Sequence, residues 1–174
     1  MTTVISDCGR YRYVLTRQLR AELWRPNGVE SVFDGTALFC MLNPSTADAD
    51  VDDPTIRRCI GFAEKWGCMS LTVVNLYAFR EPNPNEMRRV FARVGPENDR
   101  WLAKCAAEAG AVVCAWGQNA EPERAQAVVD LLRGAGATLL CLGTTKDGYP
   151  RHPLYVRADQ PVQIWTPRAE GCKG

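Results

Sequence analysis

Four apolar runs in this 174-residue chain each stop abruptly at a polar group. Leu38-Phe39-Cys40-Met41-Leu42 stops at Asn43-Pro44-Ser45, and Leu71-Thr72-Val73-Val74 stops at Asn75. Val112-Val113-Cys114-Ala115-Trp116 stops at Gly117-Gln118, and Leu139-Leu140-Cys141-Leu142 runs into a loop bearing the only histidine, His152. Continuous apolar runs of this length suit strands buried on both faces, as in a parallel sheet. In open α/β sheets a ligand lies beyond the carboxyl ends of the strands, where polar groups released from different strands converge.

The segments between the runs read as helices. Asp53-Pro54, Asn83-Pro84 and Glu121-Pro122 place a capping or acidic residue before a proline at the first helical position, and Gly95-Pro96-Glu97 opens another helix toward Gly110. Ile56, Ile60, Ala63 and the Phe62/Trp66 pair give the first helix an apolar stripe. Tyr11 to Thr16 alternates as a strand would and leads toward a turn at Arg25-Pro26-Asn27-Gly28. This order predicts an α/β protein: a three-layer α/β/α sandwich around a central, mostly parallel four-stranded sheet with an N-terminal antiparallel edge. Nothing interrupts it, so residues 1–174 read as a single domain: edge strands over 1–35, a core over 36–156 and a C-terminal tail over 157–174 that is expected to be loose after Ile164-Trp165.

With 46% hydrophobic and 24% charged residues the chain has the composition of a globular domain. Its formal charge is +1, yet 17 of its 21 basic residues are arginine. They fall in groups, including Arg10, Arg12, Arg17, Arg20 and Arg25, then Arg57-Arg58 and Arg88-Arg89. Such groups offer bidentate contacts to phosphates, and each also reads as solvated surface charge balanced by the 20 acids. Of the eight cysteines, Cys40, Cys114 and Cys141 lie inside the apolar runs, and the others lack ligand spacing. The expectation is no metal site, and a reducing cytoplasm as the home of a chain with no signal peptide, lipidation motif or long apolar span. Walker, G-x-G-x-x-G and G-x-S-x-G motifs are absent, as are the ligand motifs of zinc deaminases.

The candidate chemistry sits where the runs end. Asn43 and Asn75 each carry an amide that both donates and accepts, suited to holding a water or a base edge, and each also reads as a turn former. Tyr77 and Phe79, close after Asn75, offer a stacking surface for a base. His152 lies in a segment too polar and punctuated to be core, with Lys146 and Arg151 placed to meet phosphates. Asp48, Asp50, Asp52 and Asp53 follow Asn43, and any one of them can orient a water. Trp116-Gly117 by itself reads as close backbone packing.

Taken in order, Leu42-Asn43-Pro44-Ser45, Thr72-Val73-Val74-Asn75, Val112 to Ala120 and His152-Pro153-Leu154 resemble the motifs of the uracil-DNA glycosylase superfamily. The chain also resembles an uncharacterised bacterial and phage family with the signatures L-N-P-S-T-A-D, N-L-Y-A-F-R and T-K-D-G-x-P-R-H-P-L-Y. The first resemblance implies a DNA glycosylase-like hydrolase that needs no cofactor. Asn43 would position the attacking water, and His152 would stabilise charge gathering on the base. Asn75 would read a flipped pyrimidine, with Pro44, Ser45, Tyr77, Phe79, Trp116 and Gly117 around it. Lys146, Arg151, Arg57 and Arg58 would meet DNA, and Leu154 or Tyr155 would wedge into the gap left by the base. The implied partner is DNA or a nucleotide containing a modified pyrimidine, bound by a monomer away from any membrane. Two rivals remain: a non-catalytic sensor of modified bases, and an enzyme acting on free nucleotides or in base hypermodification.

Overall fold

The computed structural model describes residues 3–19, 33, 35–45 and 52–167. Seven strands form one sheet in the order β1-β2-β4-β3-β5-β6-β7. In chain order they are β1 (Val4–Ile5), β2 (Arg12–Gln18), β3 (Thr36–Met41), β4 (Ser70–Asn75), β5 (Ala111–Cys114), β6 (Thr138–Cys141) and β7 (Gln163–Ile164). The helices are α1 (Pro54–Lys65), α2 (Pro84–Arg88), α3 (Asn98–Ala109) and α4 (Pro122–Gly134). The four central strands, β4, β3, β5 and β6, run parallel, and they are the four apolar runs of the sequence. β2 pairs antiparallel with β4, and β1 with β2, giving the N-terminal edge.

Successive strand residues face opposite sides of the sheet. Leu38 and Cys40 share one core cluster with Leu102, Cys105 and Ala106 of α3 and Val128, Val129 and Leu132 of α4. Ala37, Phe39 and Met41 share a second cluster with Ile56, Cys59, Phe62 and Ala63 of α1. Trp66, at the end of α1, stacks on Phe33, Phe39 and Phe62 with centroids 4.9, 5.7 and 5.6 Å away. The helix starts follow from local chemistry: the Asp53 carboxylate accepts from the Ile56 amide at 2.8 Å, and Asn83 accepts from Asn85 at 2.9 Å. α3 begins at Asn98 and closes on Gly110, whose φ of 68° suits the left-handed cap.

The sheet extends one strand beyond the expected parallel core and N-terminal edge. Residues 163–164 form β7, antiparallel to β6, and Trp165 is buried edge-on against Trp116 at 5.4 Å. Two pairing residues are too few for a strand signal, and it is Trp165 that anchors the segment. The 25–28 turn, Asp48, Asp50, Thr46 and residues 168–174 lie outside the described residues.

Three thiols stand in register across the sheet, Cys40 beside Cys114 and Cys114 beside Cys141. Burial pushes the Cys40 thiol up to about 12 and raises Cys114 and Cys141 as well, so these are packing groups rather than nucleophiles. No cluster of three metal-ligating side chains occurs among the described residues, and none of their helices is long and apolar enough to cross a membrane.

Candidate active site at the carboxyl edge of the sheet

β3 has β4 on one side and β5 on the other, so the chain reverses its direction of travel through the sheet at β3. Crevices form at such switch points. Here a cavity of about 700 Å³ opens at the carboxyl ends of the parallel strands. Asn43, Asn75 and His152, separated widely in sequence, all line it. The register explains the first two: Asn75 pairs with Met41 at the end of β3, two residues before Asn43.

Asn75 is 1% exposed, and its side-chain Nδ2 is buried with no hydrogen-bond partner among the described residues. A buried unpaired donor costs roughly 1–3 kcal/mol, so an amide held this way is poised for an acceptor brought by a ligand. Asn43 is the opposite case. Its Nδ2 donates to the Pro44 carbonyl at 3.3 Å and to the Glu81 carbonyl, which leaves its Oδ1 as the side-chain group for the cavity, an acceptor.

His152 precedes a 3-10 turn over Pro153–Tyr155, and its Nδ1 accepts from the Leu154 amide at 3.3 Å. An Nδ1 that accepts cannot carry the proton, so the neutral ring bears it on Nε2 as a donor. Burial lowers the His152 pKa below its usual 6.5, partly offset by the Asp53 carboxylate, and the ring is neutral at pH 7. Asp53 is the one carboxylate lining the cavity among the described residues, and its Oδ1 also caps α1. Asp52 is instead tied to Arg17 at 2.7 Å.

Other expected residues separate into two groups. Ser45, Trp116 and Gly117 line the cavity, as do Arg151 and Tyr155 on the His152 side. Gly117 has φ 74°, a left-handed conformation that glycine adopts without strain, and through it β5's exit turn runs beside the histidine. Tyr77 and Phe79 do not line the cavity. The Tyr77 hydroxyl donates to Glu121 at 3.0 Å beneath the Arg93 guanidinium, and Phe79 packs edge-on to Tyr11 at 5.9 Å. Pro44 is buried, accepting through its carbonyl from Asn43 and from the Glu81 amide at 3.1 Å.

Among the residues expected on DNA, Lys146, Arg57, Leu154 and Tyr155 are exposed, Tyr155 at 79%. Arg58 is turned inward. Its Nε donates to the Pro153 carbonyl at 3.3 Å and its Nη2 to the Val156 carbonyl, with the guanidinium 5.4 Å above the Phe62 ring. That arginine fastens the histidine turn to α1, because the turn's carbonyls face the helix and need donors. Arg12, named from the sequence only as one of a group of arginines, is 2% exposed and lines the cavity from the start of β2, and Thr55 in the first turn of α1 lines it with no motif that marks it. A charge set between Tyr11 and Tyr13 and followed by Val14-Leu15 was the available signal for Arg12.

Fold and cavity together define a mixed α/β protein whose site is assembled at the carboxyl edge of its parallel strands. The chain belongs to the family described as "Protein of unknown function (DUF1643)", whose model matches residues 12–154, from the buried arginine to the turn after the histidine. Comparison with curated proteins and with solved structures found no match.

Proposed function

We propose that the cavity takes a pyrimidine, flipped from DNA and open to modification, and hydrolyses its N-glycosidic bond on a three-layer α/β/α frame of the uracil-DNA glycosylase kind. The observation that carries the reading is the buried, unpartnered Nδ2 of Asn75 in a cavity shared with His152 and Asn43. An amide at that place donates to O4 of a 4-oxo pyrimidine and accepts from N3–H. The neutral His152 donates from Nε2 to O2, where negative charge gathers as the C1′–N1 bond breaks and its electron pair moves into the ring. Asn43 accepts from a water through Oδ1, that water's oxygen bonds C1′, and Asp53 takes up the released proton for transfer to solvent. Tyr155, exposed at the cavity, and its exposed neighbour Leu154 would fill the gap in a duplex.

A second reading, a free or hypermodified nucleotide as ligand, is favoured by size, since about 700 Å³ is room for more than one ring. Oligonucleotides carrying uracil, 5-hydroxymethyluracil or other altered pyrimidines, incubated with the protein and then treated with alkali, test the first reading. Strand scission supports it. Tight binding without scission on any substrate supports a sensor, and binding indifferent to salt removes a polynucleotide from consideration.

A further inference from the structure

We propose that Arg58 is a positioning residue for His152, locking the turn that holds the imidazole in its Nε2–H form, rather than a contact to phosphate. The proposal rests on the reading of His152 as the donor to the base, and it extends that reading to a residue outside the cavity.

The argument is geometric. The turn's two flanking carbonyls, Pro153 and Val156, both accept from the one guanidinium of Arg58. Between them lies the Leu154 amide that donates to His152 Nδ1, and the Tyr155 amide closes the turn on the His152 carbonyl at 3.0 Å. With both carbonyls fixed to α1, the turn cannot roll about its axis, and the Leu154 N–H stays aimed at Nδ1. Pro153 and Val156 are buried, so the fastening works in a partly dry setting, where paired donors weigh more than in water. Lysine has the charge but not the planar fork that serves two carbonyls at once. Two helical turns further along α1, Lys65 donates to the Ala158 carbonyl at 2.8 Å, a tie to the same segment beyond the turn. The charged and titratable groups near the imidazole are Asp53 from α1, Arg151 beside it and Tyr155, whose ring centroid is 5.7 Å away.

The test uses the fact that His152 is the only histidine. Protein without a histidine tag, labelled with ¹⁵N in the imidazole, gives one pair of ring-nitrogen signals that report tautomer and protonation directly. In the wild type these are expected to show Nδ1 unprotonated and Nε2 protonated at pH 7.5. In Arg58→Ala the two signals move toward each other as the tautomers mix, and the titration midpoint rises toward 6.5. Arg58→Lys, which keeps charge and bulk should the alanine variant fail to fold, gives an intermediate shift. Lys65→Ala leaves the signals where the wild type has them. Wild-type signals in both Arg58 variants, or an equal change in Lys65→Ala, overturn the proposal. Loss of nucleic-acid affinity with unchanged signals assigns Arg58 to phosphate instead. No substrate is needed, so the result stands apart from whether hydrolysis is found.

Discussion

Asn98 donates through Nδ2 to the main-chain carbonyl of Asn75 at 3.0 Å, and to that of Leu76 at the same distance. The residue at the end of β4 is thus held from behind by a fully buried side chain of α3, while its own amide is left for the cavity. Arg124 adds a second donor to Leu76 at 2.8 Å but none to Asn75. Asn98→Ala is therefore expected to strand the Asn75 carbonyl and cost about 1–3 kcal/mol of unfolding free energy, read by urea titration.

Asn75 should behave in the reverse sense. Because its Nδ2 is already unpaired and buried, Asn75→Ala removes a desolvated donor and is expected to leave the melting temperature unchanged or raised. Affinity for a 4-oxo pyrimidine should fall at least about tenfold, or roughly 1.4 kcal/mol, by calorimetry. Equal losses of stability and affinity would speak for a structural role.

The histidine carries a pH signature. Its pKa is lowered in the folded state by burial, so below pH 6.5 the unfolded chain takes up a proton that the folded chain resists. Stability is expected to be full above 6.5, to decline as pH falls from there through the lower folded value, and then to level off. His152→Gln should flatten that part of the curve when unfolding free energy is followed from pH 8 to 5.

Asp53 separates its two duties under substitution. Asparagine still caps a helix, so Asp53→Asn should shift stability by no more than about 1 kcal/mol. Removing the carboxylate also removes what raises the His152 pKa, and the imidazole is expected to titrate lower still, by proton NMR. Hydrolysis, where found, should drop by about 10²–10⁴-fold if the carboxylate takes the proton of water.

The parallel core was legible because each parallel strand ends within two residues of the end of its apolar run, and Asn75 is both the last residue of β4 and the first polar side chain after Val74. Helix starts at Asp53 and Asn83 were legible for the same reason, since a cap and a following proline act locally. What could not be read was direction. Tyr77 stands two residues beyond Asn75, yet it points to Glu121 on the approach to α4, a neighbour set by packing across 44 positions of chain. Arg58 reads as surface charge because nothing local announces that residues 153 and 156 will return to α1 with unpaired carbonyls. Convergence of Asn43, Asn75 and His152 on one cavity was inferable from strand order, whereas Arg12 entered through an antiparallel neighbour whose placement the run pattern did not specify.

The cavity is walled mainly by the exits of β3, β4, β5 and β6, while the two apolar clusters lie on the faces of the sheet behind those exits. The cavity's polar groups on Asn43, Gln118, Thr145 and His152 therefore sit on connections, while the mechanical core sits in strands and helices, the two sharing Met41, Leu42, Ile56, Val73 and Trp116. Descendants of such a frame can trade one small molecule for another by rewriting a few short connections, and leave the hydrophobic strands as they inherited them.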